Sequence, residues 1–279
     1  MRLADSEARA TPSLGGREPA VTASTPTPAR VGYMGPSPIF VGLLGLTVAT
    51  GAVLWSGSES RFVLFVFVLA GWVVSLCLHE FSHALVAHRA GDVAVAQRGY
   101  LTLDPRRYTD PVLSIALPIM FVMLGGIGLP GGAVWIDRAA IGRRRDLSLV
   151  SAAGPAANLV IAAALLAPIG LGWVEPEGRG FFVAAVTYLG FLQIAAVVLN
   201  LLPIPGLDGY GILEPYLPVG LRRRLEPIRG FGLLVLFLLL WQVDPINEAF
   251  WDTVFWVLDR FGADQLFASA GFLLFRFWD

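Results

Sequence analysis

Five apolar stretches, each of 18 residues or more, dominate this 279-residue chain. About 20 apolar residues are needed to span the hydrocarbon core of a bilayer as an α-helix. The stretches run over 39–56, 62–88, 111–130, 147–172 and 180–202, and a sixth begins near Phe231 and is interrupted at Asp244-Pro245. Only 15% of the residues are charged, against about 25% in a soluble domain. The pattern predicts an all-α polytopic membrane protein with about six membrane helices.

The two ends of the chain differ from this apolar centre. Residues 1–37 are rich in Ala, Thr, Ser, Pro, Gly and Arg and show no hydrophobic periodicity, so they cannot bury enough apolar surface to fold alone. We expect a disordered tail there, and no signal peptide, because no apolar segment precedes residue 39. Residues 244–279 contain two amphipathic patterns, which are typical of helices that lie on or against a membrane.

Net charge and cysteine content exclude several classes of protein. The formal net charge of −1 gives no support for a nucleic-acid partner. The single cysteine, Cys77, excludes an intrachain disulfide and a zinc site built from cysteines. All 20 basic residues are arginine, which is typical of proteins from GC-rich bacterial genomes. We therefore expect a bacterial membrane protein that binds no nucleic acid.

The arginines predict the orientation, because cytoplasmic loops carry an excess of positive charge. If every stretch crosses the membrane, the arginine-rich loops fall on opposite sides. If 111–130 instead enters and returns on the same side, the tail and the arginine-rich regions 89–145 and 222–229 are all cytoplasmic. The prolines and glycines of this region also suit a re-entrant or strand-like segment that is protected by protein. We favour the re-entrant arrangement, with a true span as the alternative.

The second stretch ends in a motif associated with metal-dependent hydrolysis. His79, Glu80 and His83 form H-E-x-x-H. On a helix, residues i and i+4 lie on one face, so both imidazoles can bind one zinc ion while Glu80 acts as the general base. The alternative is a pair of buried structural histidines. Ionisable residues inside a membrane helix are costly, and this favours the functional interpretation.

A catalytic zinc site needs a third protein ligand, and the sequence offers a carboxylate. His88 follows His83 by five residues and not by the six of the longer zinc motif, so we expect it to lie at the membrane interface. Asp208 follows the end of the fifth stretch, in N-L-L-P-I-P-G-L-D-G over 200–209, on the same cytoplasmic side as the histidines. The prolines of this segment unwind the helix end and let the Asp208 carboxylate turn toward the metal. A simple turn aspartate before Gly209 is the alternative.

Three motifs lie in three different membrane stretches: H-E-F-S-H (79–83), A-G-P-A-A-N (153–158) and N-L-L-P-I-P-G-L-D-G (200–209). Together they resemble the site-2 protease family of intramembrane zinc metalloproteases. Two further segments, G-Y-L-T-L-D-P (99–105) and P-G-G-A-V-W-I-D (130–137), resemble the linking region of bacterial members. The resemblance covers roughly residues 60–215 and implies a catalytic core of three helices, with the short re-entrant or strand-like region between the first two.

The resemblance implies an endopeptidase that cuts transmembrane segments of membrane proteins, as in regulated intramembrane proteolysis. It implies one zinc ion per chain, held by His79, His83 and Asp208. Glu80 would be the base, and Asn200 would help to hold the substrate or the developing oxyanion. The partners would be transmembrane substrates and the lipid bilayer, with the protease at the cell membrane and its active-site side cytoplasmic.

Several alternatives stay open in the sequence. Asn158 matches the middle motif, where it could bind substrate or hydrogen-bond a neighbouring helix. The chain could be a membrane protein that binds or moves zinc without proteolysis, although that function does not need Glu80. It could also be an inactive scaffold, although a scaffold needs neither the base nor the ligands. The favoured organisation is a cytoplasmic tail (1–37), a membrane protease domain (38–243) and amphipathic C-terminal helices (244–279).

Overall fold

The computed structural model describes residues 35–108 and 134–278, and the regular secondary structure of these residues is entirely helical. In chain order the α-helices are α1 (Pro38–Trp55), α2 (Arg61–Arg89), α3 (Ala94–Gln97), α4 (Arg144–Gly170), α5 (Gly180–Asn200), α6 (Asp208–Leu213), α7 (Val219–Leu225), α8 (Gly232–Gln242), α9 (Asp244–Arg260) and α10 (Gln265–Phe275). Short 3₁₀ turns cover Tyr100–Thr102, Pro105–Arg107, Glu214–Tyr216 and Glu226–Phe231. The predicted all-α fold is confirmed.

Four of the described helices, α1, α2, α4 and α5, are long and apolar enough to cross a membrane. They match four of the six predicted stretches. The predicted re-entrant stretch 111–130, most of the strand-like region and residues 1–34 of the predicted tail lie outside the described residues. The sixth stretch forms the short helix α8. Val219–Phe231 and Leu234–Gln242 meet at 76°, so they add a fifth crossing only if this bent pair is one span.

The first two membrane helices begin at serine caps. The Ser37 side chain accepts a hydrogen bond from the Phe40 N–H at 3.1 Å, and Pro38 occupies the first helical position. The Ser60 side chain accepts from the Val63 N–H at 3.4 Å. Such caps satisfy N–H groups that have no partner within the helix. A proline at the first helical position loses no helical hydrogen bond, because the N–H that it lacks would have had no partner there. The helices therefore start within two residues of the ends of the apolar stretches.

Helices α2 and α5 form the centre of the bundle. In the 18-residue apolar segment of each helix, 83% of α5 and 67% of α2 are buried by other parts of the protein. Only 17% of the corresponding segment of α1 is buried. The Gln193 amide of α5 donates to the Ser75 hydroxyl of α2 at 2.9 Å inside the bundle. Helix α4 packs against both. The H-E-x-x-H helix is therefore held between two other membrane helices, and α1 lies at the periphery.

The C-terminal helices pack against this core. Helix α10 lies on α5 so closely that a Cβ built on Gly271 would come within 2.5 Å of Tyr188 Cβ. Helix α9 turns Phe250, Val254 and Leu258 inward. Its exposed face carries Glu248, Asp252 and Asp259. Helix α9 thus has the predicted amphipathic character, with its apolar face against the protein core, and the predicted contact of 244–279 with the membrane stays a prediction.

Candidate metal centre and catalytic cavity

The two histidines of the H-E-x-x-H motif converge on one point. They lie one helical turn apart on α2, and both are buried. His79 Nε2 and His83 Nε2 are 3.1 Å apart, and the two rings meet at 77°. Two imidazole nitrogens at this separation point either to a shared proton or to a shared cation.

Asp208 completes a triangle with these nitrogens. Its Oδ2 atom lies 3.3 Å from His79 Nε2 and 3.4 Å from His83 Nε2. A tetrahedral zinc ion with bonds of about 2.0–2.1 Å separates its ligand atoms by about 3.3–3.4 Å. Apart from the two imidazoles, the buried Asp208 Oδ2 has no hydrogen-bond partner among the described residues. The residues present therefore fit a zinc ion, in both donor type and spacing.

The carboxyl of Asp208 is held in its ionised form. Burial raises its pKa, but the imidazoles of His83 and His79 outweigh burial and hold the pKa below its usual range. Metal ligands must be deprotonated, so an ionised carboxylate is the form that a divalent cation needs.

A backbone carbonyl orients one of the histidine ligands. His83 Nδ1 lies 2.6 Å from the Val150 carbonyl oxygen of α4. Since a carbonyl can only accept, Nδ1 carries a proton, and Nε2 is the atom that would bind a metal ion after losing its own proton. Helix α4 thus fixes the tautomer and the orientation of a ligand on α2.

Gly154 allows the backbone of α4 to reach the metal site. A Cβ built on Gly154 would lie 2.5 Å from His79 Nε2 and nearer still to His83 Nε2. Any side chain here would displace the imidazoles from their present positions. The glycine of the A-G-P-A-A-N motif is therefore required by the close approach of α4 to both histidines.

Two other glycines bring Asp208 to the histidines. After α5 ends at Asn200, a turn leads into α6, which begins at Asp208 itself. A Cβ on Gly209 would overlap the Leu201 carbonyl oxygen, and a Cβ on Gly211 would overlap Ser151 Oγ of α4. Helix α6 thus lies directly against the turn before it and against α4, and this close packing fixes the position of the Asp208 carboxylate.

The triangle opens onto a cavity of about 510 Å³. Glu80, which is buried beside the histidines, lines this cavity together with Val134. Asn200 is also buried and lines the same cavity. Residues 134–136 form another part of the wall. A candidate base, a candidate amide donor and the candidate metal ligands therefore face one enclosed space.

Asn158 lies behind this cavity and not in its wall. It lines a second, much smaller cavity together with His79 and Asn200. Its Oδ1 atom is buried and has no hydrogen-bond partner among the described residues. The predicted contact between Asn158 and substrate stays a prediction, and the structure places its side chain next to a ligand histidine.

Comparison with known proteins gives relatives over most of the chain. It is 50% identical over 248 residues to Rip2 of Mycobacterium tuberculosis, covering 87% of this chain and 94% of the relative. Rip2 of Mycolicibacterium smegmatis is 47% identical over 249 residues, with 87% and 94% covered. YwhC of Bacillus subtilis is 30% identical over 209 residues, with 70% and 86% covered. All three are named zinc metalloproteases, provisionally in each case, and Rip2 and YwhC are site-2 protease family members.

The chain belongs to the site-2 protease family. No protein-family model and no solved structure matches it. Membership makes the protein a membrane zinc metalloprotease with bacterial relatives. The zinc that this family name implies corresponds to the His79, His83 and Asp208 triangle, where one ligand atom of each residue lies within 4.8 Å of the others.

Some features of this site-2 protease have no clear signal in its sequence. The Val150 carbonyl orients His83, but every residue has a carbonyl, so sequence does not single it out. Arg138 and Arg229 line the cavity although they lie outside the motifs. The A-G-P-A-A-N motif contains Gly154, but only the structure shows that this glycine packs against the metal ligands.

Proposed function

We propose that this protein is an intramembrane endopeptidase that hydrolyses peptide bonds in transmembrane segments of other proteins. One observation carries the proposal: α2 qualifies as a membrane span and also presents His79, Glu80 and His83 to a cavity. His79 lies ten residues before Arg89 at the end of α2. That is about 15 Å along the helix axis, roughly half of the hydrocarbon thickness of about 30 Å. A site at that depth can reach bonds that are inaccessible to soluble proteases.

The side chains around the triangle divide the work of hydrolysis. His79, His83 and Asp208 would hold the zinc ion, and zinc bound there would supply Lewis acidity to the scissile carbonyl and to the attacking water. The Glu80 carboxylate accepts a proton from the attacking water and delivers it to the leaving nitrogen, as the C–O bond forms and the C–N bond breaks. The Asn200 amide donates a hydrogen bond to the carbonyl oxygen as negative charge develops there.

A transmembrane substrate must unwind before its amide reaches the site, because helical carbonyls are occupied by their own hydrogen bonds. The cavity wall at 134–136 offers a partner for the unwound chain. The Trp135 carbonyl accepts from Arg98 Nη1 at 3.3 Å, and the Asp137 N–H donates to Asp92 Oδ2 at 2.7 Å. Between them, the backbone of Ile136 has no partner among the described residues. These contacts support strand addition by the substrate along this segment.

The orientation follows from the arginine distribution. We place the N-terminal tail and the active-site side in the cytoplasm of a bacterial cell, in contact with the lipid bilayer and with transmembrane substrates. Single cysteines introduced at exposed Arg144 or Arg223, in a Cys77→Ala background, test this placement. If a membrane-impermeant thiol reagent labels these cysteines in intact cells, the arginine-rich loops lie outside the cell and the proposed orientation is wrong.

The deciding experiment is cleavage of a model single-pass membrane protein by the purified full chain. We expect wild type to cut it, a zinc chelator to stop cleavage, and zinc to restore it. Glu80→Gln keeps the size of the side chain but removes the base, so we expect cleavage to fall by at least about 100-fold. The zinc content of both proteins is measured in parallel.

Zinc content separates the competing functions. If Glu80→Gln retains zinc and cuts as fast as wild type, Glu80 is not the base and the proposed mechanism is wrong. If wild type binds zinc but cuts no membrane substrate, a function in zinc binding or transport gains support. If wild type binds no zinc, the scaffold function is favoured.

A further inference from the structure

A cluster of charged side chains lies at another part of the cavity that holds the metal site. Arg138 and Arg229 both line this cavity, and each is about one-third exposed. Both approach the carboxylate of Glu214, which is buried. No step of hydrolysis described above uses these residues.

The two guanidinium groups are only partly satisfied by their neighbours. Arg138 Nη1 lies 2.8 Å from Glu214 Oε2, but the contact lacks hydrogen-bond geometry. Arg229 Nη2 lies 3.7 Å from the same oxygen, and Arg229 Nη1 lies 3.6 Å from Glu226 Oε1. Charge-assisted N–H···O bonds are about 2.7–2.9 Å long, so both contacts of Arg229 are longer than hydrogen bonds. Glu226 is mostly exposed, so water screens its charge.

The charge balance at the cavity wall therefore leaves room for one more anion. Two guanidinium groups provide ten N–H donors and two positive charges, and one buried carboxylate faces them. A carboxylate entering the cavity would neutralise the remaining charge and could accept from guanidinium N–H groups that have no hydrogen-bond partner in the described part of the chain.

Both arginines are held in fixed positions relative to the metal site. Arg138 follows the segment that Asp92 anchors through the Asp137 N–H. The backbone of Arg229 touches the turn before Asp208, since a Cβ on Gly206 would lie 2.5 Å from the Arg229 carbonyl oxygen. A group bound between the arginines would therefore be held at a set distance from the ligand triangle.

We propose that Arg138 and Arg229 form a specificity site that binds a carboxylate of the substrate peptide while another part of that peptide lies at the metal. This inference rests on the proposed function and names the class of substrate that the same cavity favours. The carboxylate belongs to an aspartate or glutamate side chain near the scissile bond, or to the free end of the substrate chain. Arg229 contributes most, because Arg138 is already close to Glu214.

The test uses one model transmembrane peptide in detergent micelles. The neutral form of this peptide ends in a carboxamide, so its C-terminus carries no charge. One series carries a single aspartate, or asparagine as its neutral match, at successive positions on either side of the cleaved bond. A second series ends in a free carboxylate at successive truncations, which separates a chain end from a side chain. The enzymes are wild type, Arg229→Gln, Arg138→Gln and, as a matched control on an exposed arginine outside the cavity wall, Arg224→Gln.

We expect one position of the carboxylate, relative to the cleaved bond, at which wild type has a KM about tenfold lower for the acidic peptide than for its neutral match. The kcat values of the two peptides should be similar. Arg229→Gln should bring the KM of the acidic peptide to that of its neutral match, and Arg224→Gln should preserve the tenfold difference. Fluorescence anisotropy of the labelled acidic peptide with Glu80→Gln, which still has both arginines, should show the same preference without turnover.

Two results would overturn the inference and leave the proposed function intact. In one, wild type cuts acidic and neutral peptides equally well at every register. In the other, Arg229→Gln slows the neutral peptide as much as the acidic one, which would make the cluster a purely structural ion pair. Failure of wild type to cut any of these peptides would contradict the proposed function itself, and the inference with it.

Discussion

Replacing Gly154 with alanine should empty the metal site without unfolding the protein. The added methyl group would lie 2.5 Å from His79 Nε2, whereas ordinary contacts of a Cβ atom begin near 3.4 Å. The ring must therefore retreat by about 0.9 Å, and His83 must move as well. Metal–ligand distances tolerate about 0.2 Å, so the displacement is several times too large for intact coordination.

The expected loss of zinc affinity is at least about 100-fold, or about 2.7 kcal/mol. Losing a residue that only supports a metal ligand costs about 10- to 100-fold, and here two ligands are displaced directly. The effect on folding should be smaller, because overpacking costs about 1–3 kcal/mol and alanine favours the helix over glycine by about 1 kcal/mol.

The assay compares zinc content at defined free zinc, thermal unfolding and cleavage for Gly154→Ala and two matched glycine variants. A Cβ on Gly190 would come within 2.5 Å of the Leu166 side chain, so Gly190→Ala creates a similar overlap in the core between α4 and α5. A Cβ on Gly45 of α1 would meet nothing within 4 Å. We expect zinc loss in Gly154→Ala alone, reduced stability in Gly190→Ala, and no change in Gly45→Ala.

Two outcomes would refute this reasoning. If Gly154→Ala binds zinc and cuts substrate like Gly45→Ala, then the imidazoles do not meet α4 as closely as described. If Gly154→Ala and Gly190→Ala lose zinc and melting temperature to the same degree, the loss comes from general disruption of packing and not from displaced ligands.

Two further predictions concern the third ligand and the cavity wall. Asp208→Asn keeps the size of the side chain but removes its charge, so zinc content at limiting zinc should fall by at least about tenfold; unchanged zinc would place the third ligand elsewhere. Ile136→Pro removes the free backbone N–H that we assign to substrate pairing, so cleavage should fall while zinc is retained. Ile136→Ala, which keeps that N–H, should stay active, and equal cleavage by both variants would contradict strand addition.

Features set by local geometry could be predicted from the sequence. The i, i+4 spacing of His79 and His83 fixes their common face wherever α2 lies. Asp208 is distant in sequence, and its depth in the membrane followed from counting crossings and arginines. The structure brings its carboxylate to the two imidazoles, and the cytoplasmic placement of this end of the bundle stays a prediction.

Features set by the meeting of distant backbones could not be predicted. The pairing of Arg138 with Glu214 joins residues 76 positions apart, and nothing in either local sequence marks it. The bend before α8 has a similar origin, because a Cβ on Gly232 would overlap the Pro205 carbonyl oxygen. A hydropathy pattern records how apolar a stretch is, but not which backbone will lie against it.

Three glycines and the metal ligands meet one physical requirement. A triangle with sides of 3.1–3.4 Å can form only where α2, α4 and α6 approach one point. Gly154, Gly209 and Gly211 lie where an added Cβ would overlap a ligand ring, a carbonyl oxygen and a serine. A larger side chain at any of these points would separate the helices before the ligands could meet. A relative that keeps both histidines and the aspartate but has a larger residue in place of Gly154 should therefore fail to bind zinc.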